Sequence, residues 1–171
     1  MKSSCVSRSK LSVGALALLA CLSAGTVSTG ASSGHIASLD ERIEGSQKVV
    51  IAKARSVNAH WRENTYGDRL IVSSVLLDVE ETLKGPSGSN TVWMELEGGT
   101  VDGFTLRVSD LPTIEPGERG VFFLDQDAGG VINTPHLRGQ GILKLDDTDT
   151  SLVTGSSLHV QDIRNAARAR H

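Results

Sequence analysis

Cysteine is almost missing from this chain. Cys5 and Cys21 are the only two in 171 residues, and both lie near the start. No disulfide framework can be built beyond them, so a domain in the remainder is held by its apolar core alone. The run Leu11 to Ala20 is apolar but far too short to cross a bilayer as a helix. The chain lacks a basic patch, which argues against nucleic acid and anionic membrane surfaces as partners. The histidines His35, His60, His136, His159 and His171 are scattered, with no HxxxH or HExxH spacing. No metal site or cofactor is expected from them. Gly-x-Ser-x-Gly is absent, and Gly85-Pro86-Ser87-Gly88 is no substitute for a nucleophile elbow. Asp146-Asp147-Thr148-Asp149 lacks the glycine and closing glutamate of a calcium loop.

What is present begins with an export pattern. Lys2, Arg8 and Lys10 precede the apolar run, and small residues follow it, the order of a secretory signal. Two cleavage points are open. Thr29-Gly30-Ala31 would release a soluble domain, residues 32–171, whereas Leu18-Leu19-Ala20-Cys21 resembles a lipobox that would leave Cys21 lipidated and the domain anchored. Localisation is accordingly extracellular or periplasmic, with the membrane reached only through such a lipid. Of 17 basic residues, 14 remain once the leader's three are set aside, against 20 acidic ones, a net charge of −6. About 140 residues suffice for one core and are too few for two ordinary domains.

Periodicity in the remainder is that of short strands. Arg69 to Gly85 (RLIVSSVLLDVEETLKG) places Val75, Leu77 and Val79 on one face and Leu76, Asp78 and Glu80 on the other. Val49 to Val57 alternates so that Val50, Ala52, Ala54 and Ser56 face a core. Asn58 to Asp68 reads as a polar connection ending in a turn, which makes the two strands an antiparallel pair. Further strands are expected at Thr91–Leu96, Phe104–Val108, Val121–Leu124, Val131–Asn133 and Gly141–Leu145, with VFFL as the central buried strand. Gly139 and Gly141 mark a bend or a close backbone approach. Ser38 and Glu41 form a capping box for a short helix with Ile36, Leu39 and Ile43 on its apolar side. Ser157 to Arg170 predicts a second helix, capped by Ser157. The expected fold is mainly β: a small OB-like Greek-key barrel whose terminal helices cover its open mouths.

The segments VVIAKARSV, VEETLKG, VWMELEGG and EPGERGVFFL, in this order, resemble the netrin-module and tissue-inhibitor-of-metalloproteinase type of OB-fold. The resemblance covers about Val49 to Leu145, and the chain resembles even more closely a set of exported bacterial proteins with the same Lys-Gly and Gly-Glu-x-x-x-x-Phe-Leu landmarks. It implies an OB-like barrel used for binding. The family's inhibitors chelate zinc through an N-terminal cysteine pinned by disulfides; no such cysteine exists in residues 32–171, so no inhibitory residue carries over.

Three function classes follow. The first is a non-enzymatic binding module for an exported protein or surface component, with His60, Trp61 and Arg62 as candidate contacts, since Trp and Arg are enriched at binding hot spots. The bland alternative for Trp61 is that it folds back to cap a barrel mouth. The second class is a lipid-anchored envelope accessory protein tethered through Cys21. The third is a hydrolase using carboxylates among Glu95, Glu97 and Asp102, residues that otherwise form a solvated sheet edge.

Overall fold

The computed structural model describes residues 35–127 and 133–170. In chain order they form α1 (Leu39–Gly45), β1 (Lys48–Glu63), β2 (Arg69–Lys84), β3 (Thr91–Glu97), β4 (Gly99–Val101), β5 (Phe104–Leu106), β6 (Arg119–Gln126), β7 (Asn133–Pro135), a 3-10 turn (Arg138–Gly141), β8 (Ile142–Lys144) and α2 (Val160–Arg168). The main sheet runs β1-β2-β3-β7-β6-β8, and β6 also pairs with β1. Five strands therefore close on themselves in the order β1-β2-β3-β7-β6-β1. All pairings are antiparallel except β3 with β7. This is the expected mainly-β, OB-like Greek-key barrel.

The β1–β2 hairpin is curled by bulges. Arg55 is the extra residue on β1, between the partners Ala54↔Leu77 and Ser56↔Leu76, and β2 is irregular opposite Val49/Val50 and Ile51/Ala52. A bulge bends a strand and shifts its facing phase. Val50, Ala52 and Ala54 point into the barrel as the alternation predicts, but after the bulge it is Val57, not Ser56, that packs against the barrel core. The expected polar connection is also much shorter than its composition suggests. β1 continues to Glu63, and only Asn64–Asp68 turns.

Two apolar clusters share β1 and β6. Inside the barrel, Val50, Ala52, Val75, Leu77, Met94, Phe122 and Leu124 are fully or nearly fully buried. Outside it, Val49, Ile51, Val121 and Phe123 meet Ile43 of α1 and Val160, Ile163 and Ala167 of α2. VFFL is continuous because its two faces serve different cores. The helices thus lie together on the barrel's flank instead of covering its mouths, because the second apolar face of β1 and β6 needs a cover. Ile36 stays exposed, so the apolar side of α1 is Leu39 and Ile43. The N-cap of α2 is His159, whose backbone N–H donates to Asp162; Ser157 lies outside the helix.

Phe104 to Leu106 does not join the barrel. It pairs with Gly99–Val101 as a separate two-stranded ribbon around Asp102-Gly103, both with positive φ. The expected strand from Val131 begins at Asn133 among the described residues; Val131 itself lies outside them. Gly139 and Gly141 do mark close approaches, to the Asp110 and His136 carbonyls.

At the end of β2, the Lys84 ammonium donates to three carbonyls: Ile43 at 2.6 Å, Glu44 at 3.0 Å and Ser46 at 2.7 Å. These belong to the last turn and cap of α1, where carbonyls lack intrahelical partners and a cation is favoured. Gly85 then turns at φ +90°, where an added Cβ would sit 2.8 Å from the Gln47 carbonyl oxygen. Replacing Lys84 by Met should keep the packing of the stem and strand these acceptors. The expected loss is about 1–3 kcal/mol, read as a lowered urea midpoint with unchanged slope.

Candidate functional site

The three sequence-nominated contacts fall on both faces of one strand. His60 pairs with Val72, Trp61 with Ile71 and Arg62 with Leu70. In a strand successive side chains point to opposite faces, so His60 and Arg62 share one side and Trp61 takes the other. Cys21, the nominated lipidation site, lies outside the described residues.

On the outer side, Arg62 is ion-paired with Glu95 of β3, whose other carboxylate oxygen accepts from the Ser74 hydroxyl at 3.3 Å. Glu95 is largely covered, its side chain 15% exposed, while Arg62 is half exposed. With Leu70, Val72, Glu63, Glu97 and Thr134 they line an open groove of about 340 Å³. His60 is exposed on this side. The carboxylates weighed for hydrolysis are each engaged or remote. Glu95 is held by Arg62, Glu97 accepts from Arg138 at 3.2 Å, and Asp102 occupies the ribbon turn.

On the inner side, the hairpin extends past the barrel core and the β4–β5 ribbon lies over it. The backbone N–H of Gly98 donates to the Ile71 carbonyl at 2.8 Å, and the buried Ser73 hydroxyl donates to the Gly98 carbonyl at 2.7 Å. Phe104 meets Trp61 edge-on, ring centroids 6.0 Å apart at 61°. The Arg69 guanidinium sits 4.8 Å from the Trp61 ring centroid, within cation–π range. Trp61 is half-buried in this stack, and Phe104 remains 65% exposed.

The turn beyond them is built by Asn64. Its side-chain oxygen accepts from the N–H groups of Tyr66 and Asp68, both at 2.9 Å, and Gly67 supplies a positive φ. An Asn side chain that bonds backbone two residues on fixes a turn without apolar contacts. Tyr66 is left 89% exposed. Trp93, on the outer face of β3 opposite Leu76, is 48% exposed. Sequence reasoning missed Phe104 and Arg69 as neighbours of Trp61, and Tyr66 as an exposed aromatic in the same hairpin's turn. The available signal was scarcity: the chain has six aromatic residues, and three of them fall in or beside two tight turns.

A loop from Arg107 to Ile114 follows the ribbon. It is fastened by Arg138, which donates to both Asp110 oxygens at 2.5 and 3.3 Å and to Glu97 at 3.2 Å. The Arg138 hydrogen bond holds the Asp110 carboxyl below its usual value, and the Asp110 hydrogen bond raises Arg138 in turn. No protein-family model matches the chain, and neither does any curated protein.

Two outcomes follow. At Gly99 an added Cβ would lie 2.6 Å from the Ser73 hydroxyl and 2.8 Å from the Ala59 Cβ, at φ +128°. Gly99→Ala should lift the ribbon off the hairpin, giving a red-shifted, more quenchable tryptophan emission from Trp61 with the barrel still folded. The Asp110 tie has the sign of a depressed carboxyl: fully formed above an ordinary aspartate pKa of about 4 and lost as pH falls through the lower folded value. Amide exchange in residues 107–113 should therefore show a specific loss of protection below about pH 4, which Arg138→Gln abolishes by removing protection at neutral pH.

Proposed function

We propose that this chain is an exported, non-enzymatic binding module that recognises an exported protein or surface component through the far end of its long hairpin. The supporting observation is where the aromatic side chains are. Of six, only Phe122 and Phe123 are in the core; Trp61, Tyr66, Trp93 and Phe104 are half-buried or exposed. Leaving a large apolar side chain in water forgoes about 1.5–3 kcal/mol of burial, a heavy loss for a domain with so few. Trp61, Phe104 and Arg69 are already stacked, so little of their side-chain freedom remains to be lost on contact, and Tyr66 stands exposed in the same hairpin's turn. Trp, Tyr and Arg are the residue types that dominate interface hot spots. OB-like barrels host unrelated functions, so the reading rests on this surface and not on the topology.

The resemblance to netrin-module and tissue-inhibitor proteins is compatible with protein recognition. Its zinc-chelating mode is not part of the proposal, because it needs a cysteine that residues 32–171 do not contain.

The test compares capture by the immobilised domain with capture by the Phe104→Ala, Tyr66→Ala double variant, using exported and envelope material from the native source. Both side chains are well exposed, so thermal midpoints should agree within a few degrees. A partner retained at least tenfold better by the unmodified domain supports the surface. Equal retention by both proteins, or none by either, rejects it.

A further inference from the structure

A second concave feature lies beside the β4–β5 ribbon, closer to the barrel than Trp61, where the barrel core ends. It is a cavity of about 510 Å³. Val57, Leu96 and Ile114 belong to the barrel core cluster and also form part of its lining; Leu106, Val108 and Leu111 add apolar surface from the ribbon and the loop that follows. The volume falls within the range of small-molecule sites, about 300–1,000 Å³, and the mouth of a β-barrel is a usual place for one. Core residues ordinarily end against other residues. Here Leu96 and Ile114 are themselves buried, and the half-buried Val57, Leu106, Val108 and Leu111 supply the apolar surface that a bound apolar group would cover with gain from burial.

The charges around the cavity are uneven in their engagement. Glu97 lines it but is met by Arg138, which also holds both oxygens of Asp110 on the adjoining loop. Arg107 also lines it, is exposed, and has no hydrogen bond or ion pair among the described residues. An uncommitted guanidinium beside apolar walls can take a carboxylate through two parallel N–H donors, and unlike an ammonium it is weakly hydrated and readily desolvated. Among the described residues that line the cavity Arg107 is the one cation, so a single negative charge is matched and a dianion is not.

We propose that this cavity binds a small amphipathic monoanion: an apolar body lying against Val57, Leu96, Val108 and Ile114, with one carboxylate on Arg107. The site is distinct from the aromatic surface and does not depend on it. The two lie at different points along the same face of the ribbon: Phe104 meets Trp61, whereas Leu106, two residues on, lines the cavity nearer the barrel core.

The probe is decanoate, titrated calorimetrically below its micelle concentration into the domain, with decan-1-ol as the uncharged match. Decanoate should bind saturably at one site and at least tenfold more tightly than decanol. Arg107→Gln, at an exposed position, should erase that preference and leave decanol binding as it was. Thr113→Trp, filling the cavity from its solvent side, should weaken both. Absence of saturable decanoate binding, equal affinity for the acid and the alcohol, or a preference that survives Arg107→Gln would each overturn the proposal. None of these outcomes touches the aromatic surface, which is read separately by partner capture.

Discussion

Five consecutive residues of β1, Val49 to Lys53, are paired on both edges, with β6 on one side and β2 on the other. That double pairing closes the sheet. Without it β1–β2–β3 would be an open meander with an unpaired strand at its edge, exposed to association with other chains. Closure also dictates composition. A strand paired on both edges and covered on both faces has no position for a charge until its pairing with β6 runs out. Lys53 and Arg55, the first exposed side chains on β1, appear where β6 begins at Arg119.

The second consequence of closure is that one core is not enough. The barrel interior uses one face of β1 and β6, and their outer faces, Val49, Ile51, Val121 and Phe123, would remain in water. The two short helices answer this. Neither is long enough to be stable alone, and each is tied by polar contacts at its ends. The Ser38 and Glu41 capping box starts α1 and Lys84 finishes it; Arg170, beyond α2, reaches Asp40 and Glu44. The outer rim of the barrel is then laced by pairs such as Arg119–Glu80 and Arg164–Glu81. These are partly exposed, and their contribution is small beside the burial they border.

The parts of this arrangement written in local patterns could be read from the sequence: the alternation of Val75, Leu77 and Val79, the capping box at Ser38, the glycine turns, the unbroken apolarity of VFFL. Those set by partners distant in sequence could not. Lys84 looks like the end of a strand; its three acceptors lie about forty residues upstream, and nothing in its neighbours announces them. The polar run Asn58 to Glu63 is strand because β2 pairs with it, though it lies beyond the barrel core and so carries no apolar alternation to reveal it. One bulge residue, Arg55, reverses the faces beyond it, which is why Ser56 was a reasonable but mistaken core residue. Of the nominated contacts, Trp61 lies in the aromatic stack, whereas the same alternation puts His60 and Arg62 on the opposite side.

These constraints divide the molecule by stability. From Val49 to Ala52 the chain is paired twice and covered on both faces. Toward Glu63 it is a two-stranded hairpin covered only by a ribbon of three-residue strands, and an isolated two-stranded unit is marginal in water. The ribbon is kept in place by few contacts: the Gly98 and Ser73 hydrogen bonds, the close fit at Gly99, and Phe104 on Trp61. Opening there would leave the closed barrel intact, so its free energy lies well below that of global unfolding. The exposed aromatic surface and the apolar cavity both border that same ribbon, through Phe104 and Leu106. A ligand that orders the ribbon at either site lowers the ordering cost of contact at the other, and linkage makes such an effect reciprocal. A recognition surface built at the least stable end of a doubly cored barrel can adjust to a partner while the fold that presents it stays fixed.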